Sequence, residues 1–257
     1  MGLKSSRSRP KAGTARLTIE ANSASGLSDG APDDAPDYLA HRRRVREKFL
    51  ERGADALADY ELLEMVLFGP IPRSDVKPLA KALIRRFGSF ADAIAAPAER
   101  LREISGVGEA VIAALKTVEA AALRLAKGRI VNRPALSSWE ALLDYCAAAM
   151  GHAETEEFRI LFLDRKNILV ADEVHQRGTV DHTPVYPCEV VKRALELGAS
   201  ALILVHNHPS GDPTPSLADI AMTREVAAAA KALKIELHDH LVIGRGRHAS
   251  FKALGLL

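Results

Sequence analysis

Ala201-Leu202-Ile203-Leu204-Val205-His206-Asn207-His208-Pro209-Ser210-Gly211-Asp212 reads as a buried strand running into a turning loop. Five successive apolar residues without polar alternation suit a central strand covered on both faces. Pro209, Gly211, Pro213 and Pro215 stop that strand, and Ser216 is a good N-cap for an Ala-rich helix over 216–233. Further out, 158–163 and 168–171 are short apolar runs flanking Asp164-Arg165-Lys166-Asn167, a hairpin signal. Residues 187–197 read as a helix with Pro187 in its first turn and Gly198 beyond its end. Residues 139–150 read as a helix with Ser138 at its N-cap and Gly151 as terminator, and 235–243 as a further strand. Strands and helices alternate, so residues 138–257 are expected to form an α+β or mixed α/β domain.

Upstream the pattern is helical. Asp59 reads as an N-cap before Leu62, Leu63, Val66 and Leu67, and Gly69-Pro70 closes that stretch. A helix from Ser74-Asp75 carries Leu79, Leu83 and Ile84 and stops at Gly88. Pro97 fits the first turn of another, with Leu101 and Ile104 inward. Residues 39–128 are therefore expected to be a small all-helical domain, and 129–137, with Asn132, Arg133 and Pro134, a linker. Residues 1–38 are poor in large apolar side chains and segregate basic from acidic residues, which predicts a disordered tail.

The chain has 257 residues, enough for two small domains. It carries 35 Lys plus Arg against 33 Asp plus Glu, so no global field points to nucleic acid or a membrane. There is no apolar run of membrane-span length and no signal-peptide core at the N-terminus. Two cysteines, Cys146 and Cys188, make neither a disulfide framework nor a cysteine-only metal site. A cytoplasmic protein in a reducing compartment is expected.

The chemistry gathers where the buried strand ends. In extended backbone, residues i and i+2 project to one side, so His206 and His208 can converge on one ion. Ser216 as N-cap puts Asp219 in the next helix's first turn, and two imidazoles with one carboxylate leave a tetrahedral zinc one open position. Each residue has a plainer reading. A lone His-x-His is commonly structural, Asp219 can serve the helix terminus, and Asp212 is an alternative carboxylate set in a turn. His238-Asp239-His240 repeats the spacing inside a strand-like run without a third ligand nearby, and reads as structural, with His240 packing near the site.

His206-x-His208-Pro209, six residues, then Ser216-x-x-Asp219 matches the JAMM signature of MPN-type zinc metallopeptidases. The longer string HNHPSGDPTPS, with Tyr186-Pro187 and EVVKRALELGA upstream, resembles the bacterial RadC family (UPF0758) over residues 38–257. The resemblance implies an MPN, cytidine-deaminase-like domain with a mixed sheet and flanking helices. It implies Zn2+ held by His206, His208 and Asp219, a glutamate base at the start of the first strand, and an oxyanion donor at Ser216. Glu-x-Phe before the strand selects Glu156, with Glu157 next and Glu173 as a cross-strand or surface partner. The implied reaction is hydrolysis of a peptide or isopeptide amide by metal-activated water. Cys188 departs from the family, where Arg is common.

Ile104-Ser105-Gly106-Val107-Gly108-Glu109 looks like a helix-hairpin-helix, whose amides at a helix start can hold a phosphate. Lys116, Arg124 and Lys127 are candidate phosphate contacts, which implies a weak, non-specific contact with DNA. A rival function is therefore a DNA-associated repair or recombination accessory with a structural or vestigial metal site. A zinc deaminase would require the absent Cys-x-x-Cys pair.

Overall fold

The structure is a computed structural model that describes residues 37–178 and 185–257. The expected tail lies outside the described residues except for Asp37 and Tyr38, which open helix α1 (Asp37–Arg52). Helices α2 (Asp59–Leu67), α3 (Lys77–Phe87), α4 (Phe90–Ala95), α5 (Ala98–Arg102) and α6 (Glu109–Gly128) come next along the chain. Leu63, Leu67, Leu83, Leu101 and Leu115 are fully buried among them, which gives the helical region an apolar core of its own.

Two cap assignments shift by one residue. Asp59 is the first residue of α2 rather than its N-cap, because Ala58 holds that position and Glu61 accepts its N–H. The Asp59 carboxylate instead accepts the N–H of Phe90 at the start of α4. Pro97 is the N-cap of α5, and α4 itself, capped by Ser89, was not foreseen. Its brevity leaves no periodicity to read.

A 3₁₀ turn (Ala135–Ser138) leads into α7 (Trp139–Met150). Ser138 stands at the N-cap, but its hydroxyl donates backwards to the Pro134 carbonyl. Strands β1 (Glu157–Leu163) and β2 (Leu169–Arg177) form the expected hairpin, with Asn167 at φ 60°. Then come α8 (Pro187–Glu196), β3 (Ala201–Asn207), α9 (Leu217–Ala232), β4 (Glu236–Ile243) and a short unforeseen strand β5 (His248–Ser250). The sheet order is β2-β1-β3-β4-β5, with β3 and β4 parallel and the other pairs antiparallel. The fold is a mixed α+β architecture with helices on both faces of the sheet. No helix among the described residues is long and apolar enough to cross a membrane.

Alternation along the central strands sorts side chains between two cores. Leu161, Leu163, Ile203 and Val205 pack with Leu142 and Met150 of α7. Ile160, Phe162, Leu202 and Leu204 pack with Val190 of α8 and Val226 of α9. His206 continues the second set, and Asn207 the first. Cys146 is fully buried on the α7 side, and burial pushes its thiol up to about 12, so it stays protonated and inert.

Polar links join the helical region to the sheet and to α7. Lys127 of α6 reaches Asp172 on β2 at 3.1 Å, and Asp172 also accepts from Tyr145 of α7 and from Arg159 of β1 at 2.6 Å. At the surface, Asp92 pairs with His152 at 2.8 Å and Arg100 with Glu154 at 2.8 Å. The Asp172 side chain is only 1% exposed. Burial raises its carboxyl, but the Tyr145 hydroxyl and the Arg159 guanidinium outweigh that and hold it below the usual carboxylate range. A depressed folded pKa contributes stability above the unfolded value and loses it as pH falls through the folded one. Asp172→Asn should therefore cost about 1–3 kcal/mol at pH 7, because Arg159 loses its most buried partner and keeps only Glu157. In urea melts the gap from wild type should narrow as pH drops below about 4.

Candidate metal centre

The site is assembled from three chain segments around the end of β3. His206 lies opposite Phe158 of β1 and beside Val242 of β4, and its ring is buried. The strand's register extends one residue further, since the His208 N–H donates to the Ile243 carbonyl at 2.9 Å. The loop then turns at Gly211, whose φ of 85° suits a residue without a side chain. Its carbonyl comes so close to Gly244 that a Cβ there would lie 2.4 Å away, so glycine is required on the β4 side as well.

At the start of α9, Ser216 and Asp219 close a reciprocal capping box. The Ser216 Oγ accepts the Asp219 N–H at 3.1 Å. The Ser216 N–H and hydroxyl both donate to Asp219 Oδ2 at 2.7 Å. The carboxylate is thereby aimed back at the strand end. His206 Nε2 and His208 Nε2 are 3.0 Å apart; Asp219 Oδ1 is 3.5 Å from the first and Oδ2 is 3.6 Å from the second. Ligand atoms placed at roughly 2.0–2.1 Å from a tetrahedral zinc lie about 3.3 Å from each other. The observed triangle brackets that value, so the donor set and its spacing fit a zinc-sized cation.

Electrostatics agree with the geometry. Burial raises the Asp219 carboxyl, but the imidazoles of His206 and His208 overcome this and keep it far below the ordinary range. The His208 imidazole is raised, chiefly by Asp219 and further by the Asp212 carbonyl, which accepts its Nδ1–H at 2.8 Å.

Glu156 completes the group. A donor atom from each of Glu156, His206, His208 and Asp219 lies within 4.8 Å of the others. Asn207 holds Glu156 in place from both sides: its Oδ1 accepts the Glu157 N–H at 2.8 Å, and its Nδ2 donates to the Thr155 carbonyl at 3.1 Å. Glu157 faces the other way, where its carboxylate accepts from Arg159 at 2.8 Å. Glu173 is engaged by the Arg193 guanidinium through both oxygens. Asp212 makes local turn bonds to Thr214, as its position suggested. Cys188 is exposed in the first turn of α8 and is not part of the group.

His238 and His240 part company. His238 bonds to Asn167 at 2.6 Å on the far side, whereas His240 reaches His206 Nδ1 at 2.7 Å. Burial pushes the His240 imidazole well below its ordinary pKa. His240 packs near the site, as the sequence reading expected, while Asn207 and Thr223 also touch it and were not singled out from sequence. Only the parallel pairing of β3 with β4, which sets Leu204 beside His240, could have revealed the bond between His240 and His206. At the Gly106–Gly108 hairpin, Glu109 opens α6 and pairs with Arg102 at 2.9 Å. Lys116 serves Glu119 and the Ile94 carbonyl, and Lys127 serves Asp172.

Comparison with known proteins matches two stretches of the chain to family models. A RadC-like JAB domain matches residues 136–256, and a UPF0758 N-terminal model matches 37–113. A UPF0758 protein of Rhodobacter capsulatus is 68% identical over 213 residues, covering 83% of this chain and the whole relative. Another, from Ruegeria pomeroyi, is 61% identical over 223 residues, covering 86% of this chain and all of its own length. With identity this high over complete relatives, the chain belongs to the UPF0758 family and carries that family's RadC-like JAB domain.

Proposed function

We propose that the protein is a zinc-dependent amide hydrolase of the JAMM type, acting on a peptide or isopeptide bond. The observation that supports this most is the separation of roles around one point: three donors at zinc spacing, and a fourth group beside them, the Glu156 carboxylate, whose backbone is tied to the neighbouring strand. Three protein ligands leave a tetrahedral ion a position for solvent, which a purely structural site does not need. A bound zinc would supply Lewis acidity and lower the pKa of its water towards about 7.

His206, His208 and Asp219 hold the ion in this reading. Glu156 accepts the proton of the attacking water and returns it to the leaving amine. Asn207 keeps the Glu156 backbone registered to the strand that carries both imidazoles. The Ser216 hydroxyl points its proton at Asp219, so its service to a developing oxyanion requires release of that bond. The substrate lies in a cleft of about 270 Å³ lined by Glu154, Thr155, Glu156, His208, Pro209 and Ser210. That volume falls just under the roughly 300–1,000 Å³ of small-molecule pockets, and suits the few groups around a scissile bond.

Glu156→Gln should retain one zinc by elemental analysis while losing at least about 100-fold in turnover of a peptide library followed by mass spectrometry. Equal turnover would remove Glu156 from the base role. Asp219→Asn should lower zinc content below one per chain. Ser216→Ala should cost about 1 kcal/mol in urea unfolding through loss of the cap, with a further drop in rate.

A further inference from the structure

We propose that Thr223 and His240 are positioning residues that fix the tautomer of His206 through a one-directional hydrogen-bond relay. The relay begins at the main chain of Asp219, whose carbonyl oxygen only accepts. Thr223 Oγ1 lies 2.6 Å from it, one helical turn on, and so donates its single proton there. The same oxygen lies 2.6 Å from His240 Nδ1 and, having given up its proton, accepts N–H from that ring. His240 is fully buried against Phe251 at a ring separation of 4.5 Å, where a charged imidazole is costly, so it carries one proton only. That proton is on Nδ1, and Nε2 therefore accepts, at 2.7 Å, from His206 Nδ1. The last link leaves the lone pair of His206 on Nε2, the atom facing His208 and Asp219.

The two imidazoles thus reach the same end by different routes. His208, past the end of β3, donates directly to the Asp212 carbonyl. His206 sits within the sheet, where neighbouring carbonyls are engaged in strand pairing on both sides. Two side chains carry its bond out to a helix carbonyl instead. Asp219 closes the loop, since its side chain faces the ion site and its main chain anchors the relay. Outer-shell bonds of this kind orient a ligating ring and set which nitrogen is free.

This inference rests on the metal-centre reading, and the test separates the two. Thr223→Val keeps shape but removes the acceptor of His240 Nδ1–H, which lets the relay reverse and places a proton on His206 Nε2. Thr223→Ser keeps the hydroxyl. Zinc affinity, measured by competition with a chromophoric chelator, should fall about 10–100-fold in the valine variant and hold near wild type in the serine variant. Long-range nitrogen–proton NMR of the metal-free proteins should show His206 as the Nδ1–H tautomer in wild type and the serine variant, and as Nε2–H in the valine variant. An Nε2–H tautomer in wild type, or a folded valine variant with unchanged tautomer and affinity, overturns the relay. A wild-type protein that takes up no zinc overturns the metal-centre reading, and the NMR spectra then decide the relay alone.

Discussion

Every residue of β3 is buried, with β1 paired on one side and β4 on the other, and the register of those pairings fixes what surrounds His206. Side chains alternate along a strand, so a one-residue slip would turn His206 towards α7 and put Asn207 in its place. Antiparallel pairing with β1 brings the start of that strand, and Glu156 just before it, beside the end of β3. Parallel pairing with β4 brings His240 to the same side as His206. The hydrophobic sorting of the two cores holds this register, because a slip would expose Ile203 and Val205 to the wrong layer. The polar centre is thus set by apolar packing several residues away.

The two faces of the sheet treat charge differently. On the α7 side, Arg159, Asp172 and Tyr145 form a buried network that neutralises itself and also engages Glu157 and Lys127. Glu157 is held there, away from the imidazoles. On the α8 and α9 side, His206 and His240 lie among Phe158 and Phe251, and Asp219 is the carboxylate that faces His206. Two adjacent glutamates therefore have unrelated surroundings. Strand alternation separates them, and each finds partners suited to its side.

Much of this was legible from residue order. The apolar run into His206-x-His208, the breakers after it and the Ser216 cap led to a strand, a loop and a helix that the structure contains. Residue order alone left Glu156 and Glu157 undecided, because alternation says that they diverge without saying which way. The structure brings Glu156 into the group through the Asn207 bonds, which no spacing rule encodes. His240 was legible only as packing near the site, and its bond to His206 was hidden because that neighbour across the sheet is 34 positions away. Short elements such as α4 and β5 escaped notice because so few residues carry no period. Cap positions moved by one where a backbone N–H found a different acceptor, as at Asp59.

The segment that delivers Glu156 is fastened unequally at its two ends. Asn207 grips the chain from within the sheet, while the approach through His152 and Glu154 is tied to the helical region by a His152–Asp92 hydrogen bond and an Arg100–Glu154 ion pair, both open to water. Such pairs contribute about 0–1 kcal/mol each and weaken as ions are added. Glu154 also forms one wall of the cleft. Beyond His208 the loop packs its Gly211 carbonyl against Gly244, where a side chain has no room. The loop past His208 is thus secured by close backbone packing and the Glu154 side by exposed polar contacts, so added salt loosens the second and leaves the first as it is.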